Sequence, residues 1–456
     1  MTTMNNKLDG HFTYARILRF SLPVMVMSLA VLSFTIVDGL LVSNLLGVNA
    51  LAAVDYVSPF FLVLYAMGFM FGTGGSAQIA NLMGKGEMGE ARRLFSMIIF
   101  YMVIIGAIVG AVLTCCFPWL LRMTGASEDI IPLCVEYGVV LFAFLPAHLF
   151  DSTFESLWIT CGRIRLGFII SVLNGLLNVL LDLLFMMKFN MGIWGAGLAT
   201  SLSALLCAFI IIRYFFIRDE DRLYFVRFSL RIRTFLKICF NGVSEMVDSV
   251  AENITLLVLN SRLLTLLGVA SVAVMGVYVY SISIFMAFFF GLSNSVITIV
   301  GYKYGQGRMD ELDDLKKKCT VISLAVGIIS FVLCNLMAYP ISSLFLGYDK
   351  ELMPQAVWVM HVSSITCLLY GFVLFCASFF TGLGDGLTSA IIAATLSLIA
   401  PVAAAYALPA VFGAESLWLS IPAGTIISAV LCVVLMRTRY VKIKERYYLQ
   451  LKYNLL

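Results

Sequence analysis

The stretch LLGVNALAAV at residues 45–54 is answered by LLGVASVAVM at 266–275, 221 positions later. GKGEMGE at 84–90 is answered by GQGRMDE at 305–311, again 221 apart. Gly192, ahead of WGAGLAT, falls on Gly413 of FGAESLWLS by the same interval. One spacing that recurs along most of each half marks an internal duplication.

What is duplicated is built for lipid. The 456 residues are 61% hydrophobic and 12% charged, with a mean hydropathy of +0.99, whereas soluble domains carry about 25% charged residues. Apolar runs of about 20 residues recur, each long enough to cross a bilayer as a helix. None alternates with period two as barrel strands do. Twelve spans are predicted, near 17–46, 58–82, 94–119, 132–159, 167–187, 192–217, 239–267, 272–302, 319–345, 353–380, 387–410 and 417–436. Several exceed the thickness of a bilayer, and Pro23, Pro59, Pro146, Pro401 and Pro422 are the expected kinks. Six spans per half is an even number, so both halves enter the membrane in the same sense. The expected fold is an all-α integral membrane protein with two six-helix lobes, related as parallel repeats about a central cavity. Residues 1–217 form the N-lobe, 218–238 a cytoplasmic linker, 239–436 the C-lobe and 437–456 a basic tail.

Charge orients the spans. Of 30 Lys and Arg residues, 26 fall in the termini and even-numbered connections, counting Arg213 at the end of span six. Arg122, Lys188 and Lys350 fall in odd connections, and Arg262 near the end of span seven. This bias places both termini in the cytoplasm. The tail RTRYVKIKERYY suits contact with anionic lipid headgroups and serves equally as a plain topology signal. The polar start, MTTMNNKLDGHFTYARILRF, predicts a first span that stays as its own insertion signal. The eleven cysteines show no CxxC pair and lie mostly in apolar runs, so they read as small buried apolar residues.

The halves differ where chemistry is expected. The 221 offset carries Asp38 onto Leu259, Asn178 onto Ile399 and Asp182 onto Ala403. A purely structural polar group would be needed in both copies. Asp38, Asp182 and Thr200 all sit about 8–12 Å below the outer surface at 1.5 Å per residue. Asn178 and Asn174 continue the Asp182 face one and two turns deeper. Carboxylates, amides and a hydroxyl in one layer suit a small hard cation or a proton shared between carboxylates. Interhelical polar pairing explains Asn174 or Thr200 taken singly. Two carboxylates without Lys or Arg at their depth are costly and point to function.

Other groups are less specific. AHLFDSTFESLW in span four places His148, Asp151 and Glu155 on one broad face. HxxD spacing occurs in some membrane acyltransferases, but no second catalytic cluster accompanies it, so a transport protein and not an enzyme is expected. Glu155 is expected to meet a cationic substrate, weighed against a helix-end pairing with Arg163 or Arg165. In span seven, SEMVDSVAEN aligns Glu245, Asp248 and Glu252, with Glu252 near mid-membrane. GTGGSAQ at 72–78 lacks the GK[ST] of a nucleotide loop and reads as a close-packing surface. No ATP-binding motif appears, so an ion gradient is the expected energy source.

An Asp in span one followed by LLGVNALAA, then AQIANLMGKGE, then RIRLGF with Asn178 and Asp182 leading to GIWGAGLAT, resembles the multidrug and toxin extrusion (MATE) transporters. It looks most like their bacterial DNA-damage-inducible-protein-F-like branch, which includes small Gram-positive multidrug exporters. The resemblance covers nearly the whole chain. It implies export of organic cations in exchange for H+ or Na+. Small cationic or amphiphilic drugs and membrane lipids are the expected partners, with no cofactor and no nucleic acid, for a carrier that works as a monomer in the bacterial cytoplasmic membrane. It places the coupling-ion site at Asp38, Asn178, Asp182 and Thr200. Other branches carry an acidic residue in span seven ten residues after a Gly, as Glu252 follows Gly242 here. The Pro that usually follows that Gly is Val243, and their acidic residue in span ten has no counterpart. Glu252 and Asp248 are therefore assigned to substrate along with Glu155.

The expected cycle loads an ion at Asp38 and Asp182 from outside, bends or relaxes span one, and releases the drug outward. The 13% aromatic content and 22 Met residues supply an adaptable cavity. The alternative within the same superfamily, a lipid-linked saccharide flippase, calls for basic groups facing a pyrophosphate. Mid-span Lys and Arg are almost absent here.

Overall fold

The computed structural model describes residues 8–124, 127–219, 222–346 and 352–454. Lys350, the first seven residues and the last two of the tail lie outside them. Among the described residues there are helices and no strands. The first half runs α1 (Tyr14–Leu46), α2 (Val48–Gly84), α3 (Met88–Met123), α4 (Ile131–Ala143), α5 (Leu145–Thr160), α6 (Ile164–Asp182) with a π-helical extension Leu183–Lys188, and α7 (Gly192–Phe216). The second runs α8 (Ile232–Leu267), α9 (Val269–Gly305), α10 (Met309–Leu346), α11 (Met353–Ser363), α12 (Ile365–Gly382) and α13 (Gly386–Ala394). A π segment Thr395–Ile399, then α14 (Ala400–Phe412), a 3-10 turn Ala414–Leu419 and α15 (Ser420–Asn454) complete it. Among the described residues eleven helical runs are long and apolar enough to cross a membrane, and α4 with α5, bent by 63°, make a twelfth if the pair is one span. That bend falls where Pro146 enters the first turn of α5, as a proline without an N–H to donate favours. Outward-facing side chains such as Leu257, Leu336 and Phe216 leave most of their surface uncovered by protein, as contact with lipid requires.

The duplication is visible in the backbone. Left-handed glycines recur at Gly47 and Gly268 (φ 85° and 84°), at Gly86 and Gly307 (81° and 74°) and at Gly192 and Gly413 (60° and 87°), each pair 221 apart. A fourth pair, Gly162 and Gly384 (64° and 82°), is 222 apart. The repeat therefore slips by one residue at the head of the fifth span and recovers past its end. Asn178 then falls on Ile399 or Ala400, and Asp182 on Ala403 or Ala404, all of them apolar.

The lobes meet backbone to backbone at the end that carries the α2–α3 and α9–α10 connections. A Cβ on Gly74 would overlap the Ile238 carbonyl, and one on Gly242 the Met70 carbonyl. The GTGGSAQ stretch thus packs closely, as its composition suggests, with Gly72 set against the Thr153 backbone on its other side. Thr160 and Thr298 hydroxyls join across the same seam at 2.9 Å.

Each lobe is also overlaid by the segment that leads into the other. Ahead of α1, the Asp9 carbonyl accepts from Lys303 Nζ at 2.8 Å, and Asp9 Oδ1 accepts from Gln306 Nε2 at 2.5 Å. The Phe12 carbonyl accepts from Lys318 Nζ at 2.9 Å. Ahead of α8, the Arg222 carbonyl accepts from Arg92 Nε at 3.1 Å, Val226 N donates to Ser96 Oγ at 3.0 Å, and Arg231 reaches Glu90 at 3.4 Å.

Candidate functional site

Two polar layers are built into the N-lobe. In the first, α6 presents Asn178 and the fully buried Asp182 one turn apart. Asn178 Nδ2 donates to Thr200 Oγ1 of α7 at 3.2 Å. Thr200 in turn donates to the Ala196 carbonyl at 3.1 Å, which fixes its rotamer. Asp38 of α1 closes the layer, its carboxyl within hydrogen-bond reach of that of Asp182. As two carboxylates they have no donor to share. Both Asp182 oxygens and Asp38 Oδ1 are buried without a partner among the described residues, an arrangement that a proton or a cation between the oxygens would complete. Asp38, Asn178, Asp182 and Thr200 are thus brought together as the sequence suggests. Directly after Asp182 the helix widens into the π segment Leu183–Lys188, the kind of bulge that frequently marks functional positions. The buried phenol of Tyr137 lies within electrostatic range of both aspartates.

The second layer lies deeper. Tyr65 of α2 donates its hydroxyl to Asp151 Oδ2 at 3.0 Å and approaches Glu155 Oε1 at 3.5 Å. Asn174, a further turn along α6 from Asn178, stands within reach of Asp151. His148 is buried, pairs through Nε2 with Ser201 Oγ at 3.2 Å and packs edge-on against Phe61. It is not among the residues that line the cavity between the lobes. Among the described residues Glu155 forms no ion pair with Arg163 or Arg165. It faces a cavity instead.

That cavity, about 470 Å³, lies between the lobes. Ser28, Val31, Leu32 and Thr35 of α1 form one wall, with Asp38 the next turn along the same helix. Glu155 enters from the N-lobe, and Glu245, Asp248 and Glu252 enter from α8. The predicted substrate residues Glu155, Asp248 and Glu252 all line it. Glu245 joins them as the fourth carboxylate. Asp248 accepts from the Ser397 hydroxyl, and the Ser397 carbonyl accepts from Thr255, so the second π segment is fastened to the acidic stripe of α8. Tyr65, Phe69, Tyr278, Phe290 and Tyr370 supply the aromatic surface. The Met content contributes less than its abundance suggests, with Met286 alone among the lining residues. Among the described residues no Lys, Arg or His lines the cavity. Aromatic faces beside carboxylates suit organic cations.

Sequence reasoning missed Tyr65, Tyr137, Tyr278 and Tyr370. Each sits in an apolar run where a tyrosine reads as an ordinary core aromatic. For Tyr65, the carboxylates one helix away were the only available signal.

Two layers of carboxyl groups in a duplicated helical membrane protein, with a cavity between its halves, define a secondary-transporter class. The MatE family model matches residues 23–184 and 245–406, one match in each half, and the chain belongs to that family. It is a MATE family transporter, similar to multidrug exporters of Gram-positive bacteria. It is 23% identical over 436 residues to the multidrug export protein MepA of Staphylococcus aureus (strain MSSA476), covering 93% of this chain and 94% of that protein. It is 24% identical over 437 residues to MepA of Staphylococcus saprophyticus, covering 92% and 94%. Its fold is similar to that of a MATE protein solved in complex with MaL6, with a TM-score of 0.91 and 24% identity over 98% of this chain and 100% of that one. It is also similar to that of a MOP superfamily transporter from Pyrococcus furiosus, described as having a binding pocket of reverse polarity, at a TM-score of 0.90 and 22% identity over 97% and 99%.

Proposed function

We propose that this protein is a secondary active multidrug exporter of the bacterial cytoplasmic membrane, both termini inside, working as a monomer. It moves small organic cations outward in exchange for H+ or Na+. One observation carries the reading: a cavity between the lobes holds four carboxylates, aromatic walls and, among the described residues, no basic side chain, while a second carboxyl pair lies buried close by and outside it. Drug binds at Glu155, Asp248 and Glu252. The ion binds at Asp38, Asn178, Asp182 and Thr200. With the lobes sealed at the basic end, which the charge bias assigns to the cytoplasm, the cavity faces outward.

Pocket charge decides between this reading and the saccharide flippase. A pyrophosphate carrier would bring its anion against these carboxylates, at a cost no basic group offsets. The test is ethidium movement in proteoliposomes under separately imposed pH and Na+ gradients, for wild type and Asp182→Asn. Gradient-driven transport lost in the variant supports the assignment and names the ion. Equal transport by both proteins removes Asp182 from coupling, and no transport under either gradient removes the multidrug reading.

A further inference from the structure

We propose that Asp151, Tyr65 and Glu155 form a second proton-binding site, at which an entering drug cation takes the place of a proton directly. This rests on the exporter reading above and adds to the Asp38–Asp182 pair a second group that exchanges protons.

A phenol has one proton to give. Tyr65 places it on Asp151 at 3.0 Å and leaves Glu155 at the edge of its reach, at 3.5 Å. Glu155 is 8% exposed, and what is exposed faces the cavity. Two carboxylates bridged by one phenol and out of contact with any cation cannot both stay ionised, because each raises the cost of charging the other. The cluster therefore holds one proton beyond that of the phenol.

The surroundings supply no competing cation. On α5, His148 is occupied by Ser201. On α7, the Cys207 thiol points to the Ile170 carbonyl. Across the cavity stand Glu245, Asp248 and Glu252 of α8, Tyr278 of α9 and Tyr370 of α12. These are acids and phenols, so the field at Glu155 favours a positive partner. When a drug cation arrives, the shared proton leaves to water in the cavity, both carboxylates become ionised, and the cation takes over their charge. The exchange is one positive charge for another. The cluster has no counterpart in the second lobe, where the 221 offset carries Asp151 onto Phe372 and Glu155 onto Cys376.

The experiment is calorimetric titration of the purified transporter with ethidium in two buffers of different ionisation enthalpy, which counts protons released per dye bound. Asp182→Asn serves as the background, so that the coupling pair no longer has two carboxylates to share a proton. About one proton is expected to leave per dye in that background, and none when Glu155→Gln or Asp151→Asn is added, with dye binding weakened but measurable. The two added variants differ in burial, so a folding defect in one leaves the other to decide; both are checked for a single symmetric peak in size exclusion. Unchanged proton release with Glu155→Gln and with Asp151→Asn overturns the proposal. So does the absence of release in the Asp182→Asn background while wild type releases a proton, because the exchanged proton then belongs to the coupling pair alone. Failure of wild type to bind ethidium overturns the exporter reading, and this inference with it.

Discussion

Gly84 and Gly305 stand 221 residues apart in sequence and face each other's helices across the lobe seam. A Cβ on Gly84 would overlap the Tyr302 carbonyl, and one on Gly305 the Asn81 carbonyl. Asn81 and Tyr302 are themselves 221 apart. The pseudo-two-fold axis passes between these two turns, and the seal there is made by backbone that only glycine lets approach.

Gly305→Val is expected to wedge the seam. A branched side chain against a carbonyl cannot repack cheaply, so the equilibrium moves toward the state in which the seam is open. Transport should fall by about tenfold or more, which a 1.4 kcal/mol bias suffices to produce. A cysteine probe placed at Ala77, on the seam, should gain reactivity toward a cytoplasmic thiol reagent. Unchanged probe reactivity together with normal transport would show that the seam tolerates bulk.

Asp182→Asn should uncouple rather than inactivate. Removing one carboxyl abolishes the shared proton or cation site, while the drug cavity, which Asp182 does not line, keeps its residues. Dye exchange down its own gradient should continue and gradient-driven accumulation should vanish. Loss of both modes would assign Asp182 to folding or to substrate.

Glu252→Gln should weaken cation binding by about tenfold to a hundredfold, the equivalent of one charge-assisted contact of about 1.5–3 kcal/mol. An uncharged amphiphile of similar size should bind as before. Equal weakening of both ligands would make Glu252 a packing residue.

At the basic end, Arg439 Nε lies 2.7 Å from Asp385 Oδ2. Burial alone raises the carboxyl of Asp385, but its hydrogen bonds to Arg439 and Thr388 outweigh that and hold it below the usual range. The sign follows from the lowered folded value. The stabilisation is fully present above the unfolded carboxylate value of about 3.9 and is lost as pH falls through the folded one. Asp385→Asn should therefore reduce thermal stability at neutral pH and flatten its decline between about pH 5 and pH 2. An identical decline in both proteins would remove this ion pair from the acid response.

Much of this was legible before any coordinates. The spans follow from apolar runs, and the duplication follows from matched stretches that recur at one spacing of 221 residues. Asp38 and Asp182 stood out because an ionisable group in an apolar run has few structural excuses. The one-residue slip at Gly162 and Gly384 was not legible, because a glycine's φ is not written in its neighbours. Nor were the π segments, since a helix widens in response to packing, not to a residue type. Tyr65 was hidden for a related reason: its role depends on Asp151 and Glu155, two residues 86 and 90 positions away.

The overlaid leading segments bear on how the protein is made. Asp9 leaves the ribosome well ahead of Lys303, which it meets and which follows 294 positions later. At about 5–20 residues per second the first segment waits roughly 15–60 s for its seat. During that interval the earlier lobe sits in the membrane with its leading segment unmoored. Docking of the two lobes is therefore a late event, closed by a segment made before either of them.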